Sequence, residues 1–341
     1  MDWKTFDYRI LIDYERIKDF TLHGRMPNPR FAIMYLTSFC NLKCKYCEYA
    51  QENLGGFMPT KRVLQTIDEL KALGVEAIEF CGGGEPLLHP DIEEILNYCK
   101  ESNIVVGILT NFTPGNKNLL ETIVQTCSYL RVSMDTFDRN EYEELKGVAL
   151  LSQVKKNLKK LVRLKKKNKS NINIGIKMLL TTLNYSGIKD FIKGGIKLGV
   201  DNIQFKKVYS CPELELNDEE VKAIEVNLKC YKTIYKDKVN IFYGFYGLEL
   251  KKKCFTSINH IFIDAFGDIY LCCHYLDRRK EHRLGNIYDK SVKDIWFSKR
   301  HFEVIYNTDR HVCNKTDCRW IKYNNFMLPI IKDKERSLDF I

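Results

Sequence analysis

From residue 31 to about residue 208 the chain alternates short, apolar-rich runs with longer stretches in which apolar residues recur at helical intervals. "FAIMYLT" (31–37) is a continuous apolar run of strand length, the pattern of a strand buried on both faces. "TKRVLQTIDELKAL" (60–73) has helical periodicity, and Gly74 stands where a helix would stop, since glycine adopts the left-handed conformation that ends helices. The alternation then repeats: strand 75–80, helix over "DIEEILNYCKES", strand 104–109, helix 117–127, strand 129–134 followed by two helical stretches, strand 172–180, helix 186–198 and strand 202–208.

Six strand–helix units with short connections predict buried parallel strands joined by helices. Six units are too few for the eight-stranded closed barrel. The expected fold class is therefore α/β, a partial (β/α)6 TIM-like barrel. In such sheets chemistry collects at the carboxyl ends of the strands. A cysteine-rich loop after the first strand, the glycine run at 82–84, Asn111 and Asp135 all fall there. After about residue 245 the pattern changes. "INHIFIDAFGDIYLCCHYL" (258–276) reads as two strands around a tight turn at Gly267-Asp268. The expected organisation is an N-terminal extension (1–30), a partial-barrel core (31–245), a small C-terminal domain containing a β-hairpin (246–330) and a tail (331–341). The core of the small domain is thin enough to call for a metal centre.

Composition narrows the function classes. Hydrophobic residues make up 45% of the 341, enough for a sizeable core. Charges interrupt every apolar run of the first twenty residues, so no secretory signal is expected. No apolar stretch approaches bilayer-spanning length; a cytoplasmic location and no membrane partner are expected. Thirteen cysteines in a long chain without an export signal point to metal or cluster ligation rather than a disulfide framework. The net charge is +10, much of it in "KKNLKKLVRLKKKNKS" (155–170). Leu158, Leu161, Val162 and Leu164 keep helical spacing there and no aromatics are interleaved, so a solvated helix face is expected in place of a nucleic-acid site.

"FCNLKCKYCEYA" (39–50) places Cys40, Cys44 and Cys47 in a C-x3-C-x2-C pattern, with no fourth cysteine or histidine nearby in sequence. Structural zinc closes a tetrahedron with four ligands and usually starts from C-x2-C. Iron–sulfur clusters also usually take four thiolates, so three would leave one iron open to a small molecule. "CNLKCKYC" resembles the signature loop of the radical S-adenosylmethionine (SAM) superfamily. The resemblance implies a [4Fe–4S] cluster on Cys40, Cys44 and Cys47 whose open iron is chelated by the amino and carboxylate groups of SAM. Reductive cleavage of SAM would then give a 5′-deoxyadenosyl radical that abstracts a substrate hydrogen. It also implies that Tyr46 lies near the adenine. "GGGEP" (82–86) resembles the superfamily's GGE motif, which gives Gly82, Gly83, Gly84 and Glu85 to SAM, with Glu85 accepting from the ammonium group. The bland alternative is a turn. Asn111, Ser133 and Asp135 lie where relatives place ribose and carboxylate contacts, and Lys177 could face the SAM carboxylate; the alternative is helix capping.

Cys254 through Gly267 to Cys272 fits C-x12-G-x4-C. This resembles the opening of the SPASM and twitch extensions on many radical SAM enzymes. It implies an auxiliary [4Fe–4S] cluster on Cys254, Cys272, Cys313 and Cys318, the twitch form with one cluster being favoured. Cys273 adjoins Cys272, and strand neighbours face opposite ways, so one of the two is the ligand. The spare thiol is either a buried structural residue or a catalytic hydrogen donor, for which Cys273 is the candidate. Cys81, Cys99, Cys127, Cys211 and Cys230 have no ligand spacing and are read as core.

The expected function is hydrogen abstraction from a sugar or cyclitol-type small molecule, ending in oxidation or epimerisation. The alternative is maturation of a ribosomally made peptide. A different class, a non-catalytic iron–sulfur or zinc protein for binding or electron transfer, would not need the glycine–glutamate motif. A flavodoxin- or ferredoxin-type electron donor is the expected protein partner, and nucleic acid is not.

Overall fold

The structure, a computed structural model, describes residues 9–50, 55–209, 211–245, 249–250, 254–308, 313 and 318–332. Six parallel strands lie side by side in chain order: β1 (Phe31–Met34), β2 (Ala77–Phe80), β3 (Val105–Thr110), β4 (Cys127–Ser133), β5 (Asn173–Leu180) and β6 (Asn202–Lys207). Between them run α2 (Thr60–Ala72), α3 (Ile92–Glu101), α4 (Lys117–Thr126), α5 (Arg139–Lys146), α6 (Leu151–Lys167) and α7 (Ile188–Leu198). Side-chain parity splits the sheet into two faces. Ile78, Phe80, Val106, Ile108, Leu130, Val132, Ile174, Ile176, Ile203 and Phe205 are buried within the main hydrophobic core. The opposite parity carries Ile33, Tyr35 and Leu109 in a second apolar cluster, together with Glu79, Gly107, Tyr129, Arg131, Lys177 and Gln204, so the inner face of the partial barrel is mixed, with its polar groups on β2 and β4 to β6.

The sheet extends beyond the expected six strands at both ends. β7 (Asn240–Tyr243) adds parallel to β6 after α8 (Asp218–Ile234). Its short "NIFY" sequence, with Asn240 and Phe242 exposed, gives little periodic signal. At the other end β8 (His260–Ile263) pairs parallel to β1, with Phe31 opposite His260 and Met34 opposite Ile263. The antiparallel strands β9 (Asp268–Tyr270) and β10 (Arg283–Asn286) follow. The expected hairpin is therefore present and continues the barrel sheet, giving the order β10-β9-β8-β1-β2-β3-β4-β5-β6-β7. "HIFI" is buried at all four positions; such a strand needs neighbours on both edges and cover on both faces, which the free edge of β1 supplies.

The N-terminal extension carries α1 (Arg9–His23). Its Phe20 is wholly buried and stacks on Phe302 and Tyr306, with Phe255 tilted against it. The first helix is thus part of the core around the C-terminal strands.

Candidate functional site

Local hydrogen bonds shape the cysteine loop that leaves β1. The Thr37 hydroxyl accepts from the Phe39 amide at 2.9 Å and donates to the Gly56 carbonyl at 2.6 Å. The amides of Lys43 and Lys45 donate to the carbonyls of Lys146 and Leu145, at 2.9 and 3.0 Å, so the end of α5 holds the loop. Gly147 follows with φ +71°, and a Cβ there would press on the Lys43 carbonyl, which makes glycine the fitting residue at this helix end. Cys40 and Cys44 are half-buried and Cys47 is exposed. Cys40 Sγ accepts from the Leu42 amide at 3.5 Å and from Asn111 Nδ2 at 3.8 Å. Burial pushes the Cys40 thiol up to about 11, and burial likewise raises Cys44 and Cys47. Three thiols that resist ionising on their own are suited to a bound cation that supplies the compensating charge.

At the end of β2, Gly82 and Gly83 lie against the Tyr35 ring, and a Cβ on Gly84 would overlap the Phe39 carbonyl. That carbonyl accepts the Glu85 amide at 2.8 Å, tying the glycine run to the cysteine loop. Glu85 is 2% exposed. Its Oε1 accepts from Leu87 N at 3.0 Å and Thr110 Oγ1 at 2.5 Å, and its Oε2 from Asn111 N at 2.6 Å. Burial outweighs these donors and pushes its carboxyl up to about 7. A cationic partner is the counter-charge such a carboxylate lacks. Asn111 bridges onward, donating to Asn41 Oδ1 at 3.0 Å and accepting from Thr113.

Asp135, just past β4, is wholly buried with φ +67°. Its Oδ1 accepts from Leu179 N at 2.8 Å, and its Oδ2 meets Lys146 Nζ at 2.5 Å and the Tyr46 hydroxyl. Lys146 also donates to the Tyr46 hydroxyl at 2.7 Å and the Ser133 hydroxyl at 3.3 Å. Burial alone would lower the Lys146 pKa, but Asp135 and Tyr46 outweigh it and raise it well above the usual value. Sequence reasoning missed Lys146. It shares one buried helix face with Tyr142 and Leu145. Lys177 lies on β5 beside Ser133. Burial lowers its pKa, and its ammonium makes no hydrogen bond among the described residues.

The second thiol group gathers around Arg278, which is buried and donates to Cys313 Sγ at 3.2 Å. Burial would lower the arginine pKa, but Cys272 and Cys313 outweigh it and raise it. Cys254 is held up first by burial and then by Cys313 nearby. Cys318 is pushed up to about 12 by burial, with Cys254, Cys272 and Cys313 adding to it. The four thiols thus share one neighbourhood. Cys272 stands 3.9 Å from His282 Nδ1. Cys273 packs instead with Tyr35, Tyr49, Cys81 and Tyr275, and the Tyr35 and Tyr49 hydroxyls meet at 2.9 Å. Cys99 and Cys127 are core and Cys211 is buried, whereas Cys230 is exposed on α8, because it occupies the solvent face of that helix.

Among the described residues no three Cys, His, Asp or Glu side chains converge on one point as ligands of a single ion would. Thiolates that anchor a cluster sit on different iron atoms and stand further apart. Soft thiols with N–H donors to sulfur, as at Cys40, are the donor set iron–sulfur centres use. Both groups therefore fit clusters. A cavity of about 770 Å³ opens elsewhere, among Phe31, Ala77, Val105, Tyr129 and Asn173 at the amino ends of the strands; the thiols and Glu85 lie at the other end, where parallel sheets carry their chemistry. No helix among the described residues is long and apolar enough to cross a membrane.

Comparison with known proteins agrees with this geometry. Residues 34–193 match the family described as Radical SAM superfamily, and residues 254–319 match the Iron-sulfur cluster-binding domain SPASM. Protein MJ0907 of Methanocaldococcus jannaschii is 30% identical over 283 residues, 76% of this chain and 89% of that protein. The tungsten-containing aldehyde ferredoxin oxidoreductase cofactor-modifying protein of Pyrococcus furiosus is 23% identical over 309 residues, 85% of this chain and 87% of its own. The antilisterial bacteriocin subtilosin biosynthesis protein AlbA of Bacillus subtilis is 27% identical over 284 residues, 81% of this chain and 61% of its own. Among solved structures, Streptococcus suis SuiB bound to precursor peptide SuiA superposes with a TM-score of 0.72 at 19% identity, covering 89% of this chain and 73% of that one. At that identity the likeness shows the fold alone. A chain with these two domains carries a [4Fe–4S] cluster with SAM and an auxiliary iron–sulfur cluster. The chain belongs to the radical SAM superfamily, with an iron–sulfur cluster-binding domain at its C-terminal end.

Proposed function

We propose that Cys40, Cys44 and Cys47 hold the SAM-binding cluster and that Cys254, Cys272, Cys313 and Cys318 hold the auxiliary one. When bound, cluster and SAM together supply hydrogen-atom abstraction from an unactivated carbon. The observation that carries this reading is the junction of the cysteine loop and the glycine run, where Phe39, Gly84, Glu85 and Asn111 interlock beside Cys40. Glu85 supplies the acceptor for the SAM ammonium, and Lys177 a cation for its carboxylate. Gly82, Gly83 and Gly84 give close backbone approach, and Asn111 and Ser133 supply polar contacts at the strand ends. Both oxygens of Asp135 are engaged by Leu179, Tyr46 and Lys146. Asp135 therefore acts as a positioning residue, fixing the Tyr46 ring beside the adenine. Cys273, in the bend past the end of β9 and packed among Tyr35, Tyr49 and Tyr275, is the candidate hydrogen donor.

For the substrate we favour a ribosomally made peptide. The alignment with AlbA, named for bacteriocin biosynthesis, runs over 81% of this chain. A sugar or cyclitol is the second reading, supported by Arg131, Lys177 and Gln204 on the inner face of the sheet, where polar groups can grip a polar small molecule. Deuterium transfer decides between them. The reconstituted enzyme is incubated with dithionite, SAM and deuterium-labelled peptide or metabolite fractions of the source cell. Label in 5′-deoxyadenosine from the peptide fraction supports the first reading, and label from the metabolite fraction alone overturns it.

A further inference from the structure

The helix α6 contains eight basic residues and no acidic one. Its buried face, Val154, Asn157, Leu158, Leu161 and Val162, packs inward, while Lys156, Lys159, Lys160 and Arg163 are exposed and Lys155 is half-exposed. Repulsion among like charges on one face costs stability, offset only in part where Lys155 lies over the Phe137 ring and Lys165 pairs with Asp201. The neighbouring α7 adds exposed Lys189, Lys193 and Lys197 against one exposed acid, Asp190. A helix that follows a parallel strand starts at the carboxyl end of the sheet, so the first turns of α6 lie at the end that carries the cysteine loop. Two hydrogen-bond routes join them. Asn157 Nδ2 donates to the carbonyls of Phe112 and Thr113 at 3.0 and 3.1 Å, and the Thr113 hydroxyl accepts from Asn41 in the loop at 2.8 Å. On the other side the loop hangs from the end of α5, which leads directly into α6. Lys43 and Cys47 in the loop are exposed. The acids nearby are exposed Glu48 in the loop and Glu143 and Glu144 of α5, and Glu144 is paired with Lys45 at 2.9 Å.

We infer that the lysine face at the start of α6, Lys155, Lys156 and Lys159 together with Lys43, is the docking surface for an acidic protein that carries one electron to the cluster on the cysteine loop. This rests on the proposed function, because that cluster needs one electron per SAM cleaved; the carrier is oxidised by one electron and the cluster reduced by one. Nucleic acid is disfavoured because α6 has no aromatic residue on which a base could stack. A membrane surface is disfavoured because no exposed large apolar residue lies on α6. A complementary acidic face would be steered to this end of the barrel and raise the encounter rate.

The test uses photoreduced flavodoxin as an acidic carrier and dithionite as a small reductant. Lys155→Glu/Lys156→Glu/Lys159→Glu is compared with Lys222→Glu/Lys229→Glu/Lys232→Glu, an equal charge change on the exposed face of α8. With flavodoxin the α6 variant should show a rise of roughly tenfold or more in the carrier concentration giving half-maximal 5′-deoxyadenosine formation. The wild type should show a similar rise at high salt, and the α8 variant should match the wild type. With dithionite all three should cleave SAM alike. Flavodoxin binding to the cluster-free protein should weaken in the α6 variant alone. Equal flavodoxin dependence in all three proteins overturns the inference, as does an α6 variant that loses only oligonucleotide or anionic-vesicle binding. If the wild type fails with dithionite, the proposed function has failed, and the binding measurement on cluster-free protein still decides the surface.

Discussion

The buried pair Asp135–Lys146 offers a prediction whose size follows from its surroundings. Both groups are shielded from water, with side chains 0% and 2% exposed. Asp135→Asn is the appropriate perturbation, because asparagine tolerates the left-handed φ of +67° at this position. The change removes charge without adding backbone strain. It leaves the Lys146 ammonium buried with only the Tyr46 and Ser133 hydroxyls. Lys146→Met leaves the Asp135 carboxylate with the Leu179 amide and the Tyr46 hydroxyl. Breaking a buried pair from one side costs about 3–5 kcal/mol. The double variant removes both charges and should regain much of that loss, giving a coupling energy of about 1–3 kcal/mol. Urea unfolding of cluster-free protein, followed by fluorescence and circular dichroism together, measures it where the two probes coincide. A lysine whose folded pKa is raised contributes stability that is fully present below its unfolded value and lost above it. The coupling should therefore be flat through neutral pH and decline only above about pH 10. Single variants that add to within about 0.5 kcal/mol would refute the reasoning.

Three further outcomes follow from the site. Glu85, pushed up to about 7 by burial, contributes stability present below its ordinary value near 4.5 and lost as pH rises through 7. Cluster-free Glu85→Gln should therefore lose less stability than the wild type over that interval, a difference of order 3 kcal/mol by pH titration of the urea midpoint; identical profiles would contradict the burial argument. Gly84→Ala drives a methyl into the Phe39 carbonyl and should cost about 1–3 kcal/mol and most of the cysteine-loop iron, read by thermal melting and iron analysis; unchanged iron would mean the glycine run and the loop are not interlocked. Cys272→Ala should remove roughly half of the reconstituted iron and Cys273→Ala almost none, because Cys272 lies beside Arg278 and Cys318 while Cys273 packs among Tyr35, Tyr49 and Tyr275; the reverse result exchanges their roles.

The alternation of short apolar-rich runs and helical periods was enough to place β1 through β6, because alternate residues of these strands enter the hydrophobic core. The extra parallel strand β7 escaped because four residues with two exposed side chains carry no distinctive period. The pairing of β8 with β1 escaped because strand partners more than two hundred residues apart leave no local mark, even though "HIFI" announced full burial. At the site, the cysteines, the glycine run and Glu85 were legible because spacing and residue type carry their chemistry. Lys146 was hidden by its position in the last turn of α5 before Gly147, where a lysine normally serves the helix dipole in solvent. Arg278 was hidden because a buried arginine beside thiols is defined by tertiary contacts with Cys313 that no local pattern records.

The central claim is that Cys40, Cys44 and Cys47 hold a cluster whose open iron takes SAM. Anaerobic reconstitution with iron and sulfide, followed by dithionite and SAM, tests it through one product. The wild type should form 5′-deoxyadenosine, and the variant with all three cysteines changed to alanine should form none. Zinc-filled, colourless wild-type protein that makes no 5′-deoxyadenosine, or a triple variant that makes as much as the wild type, would contradict it.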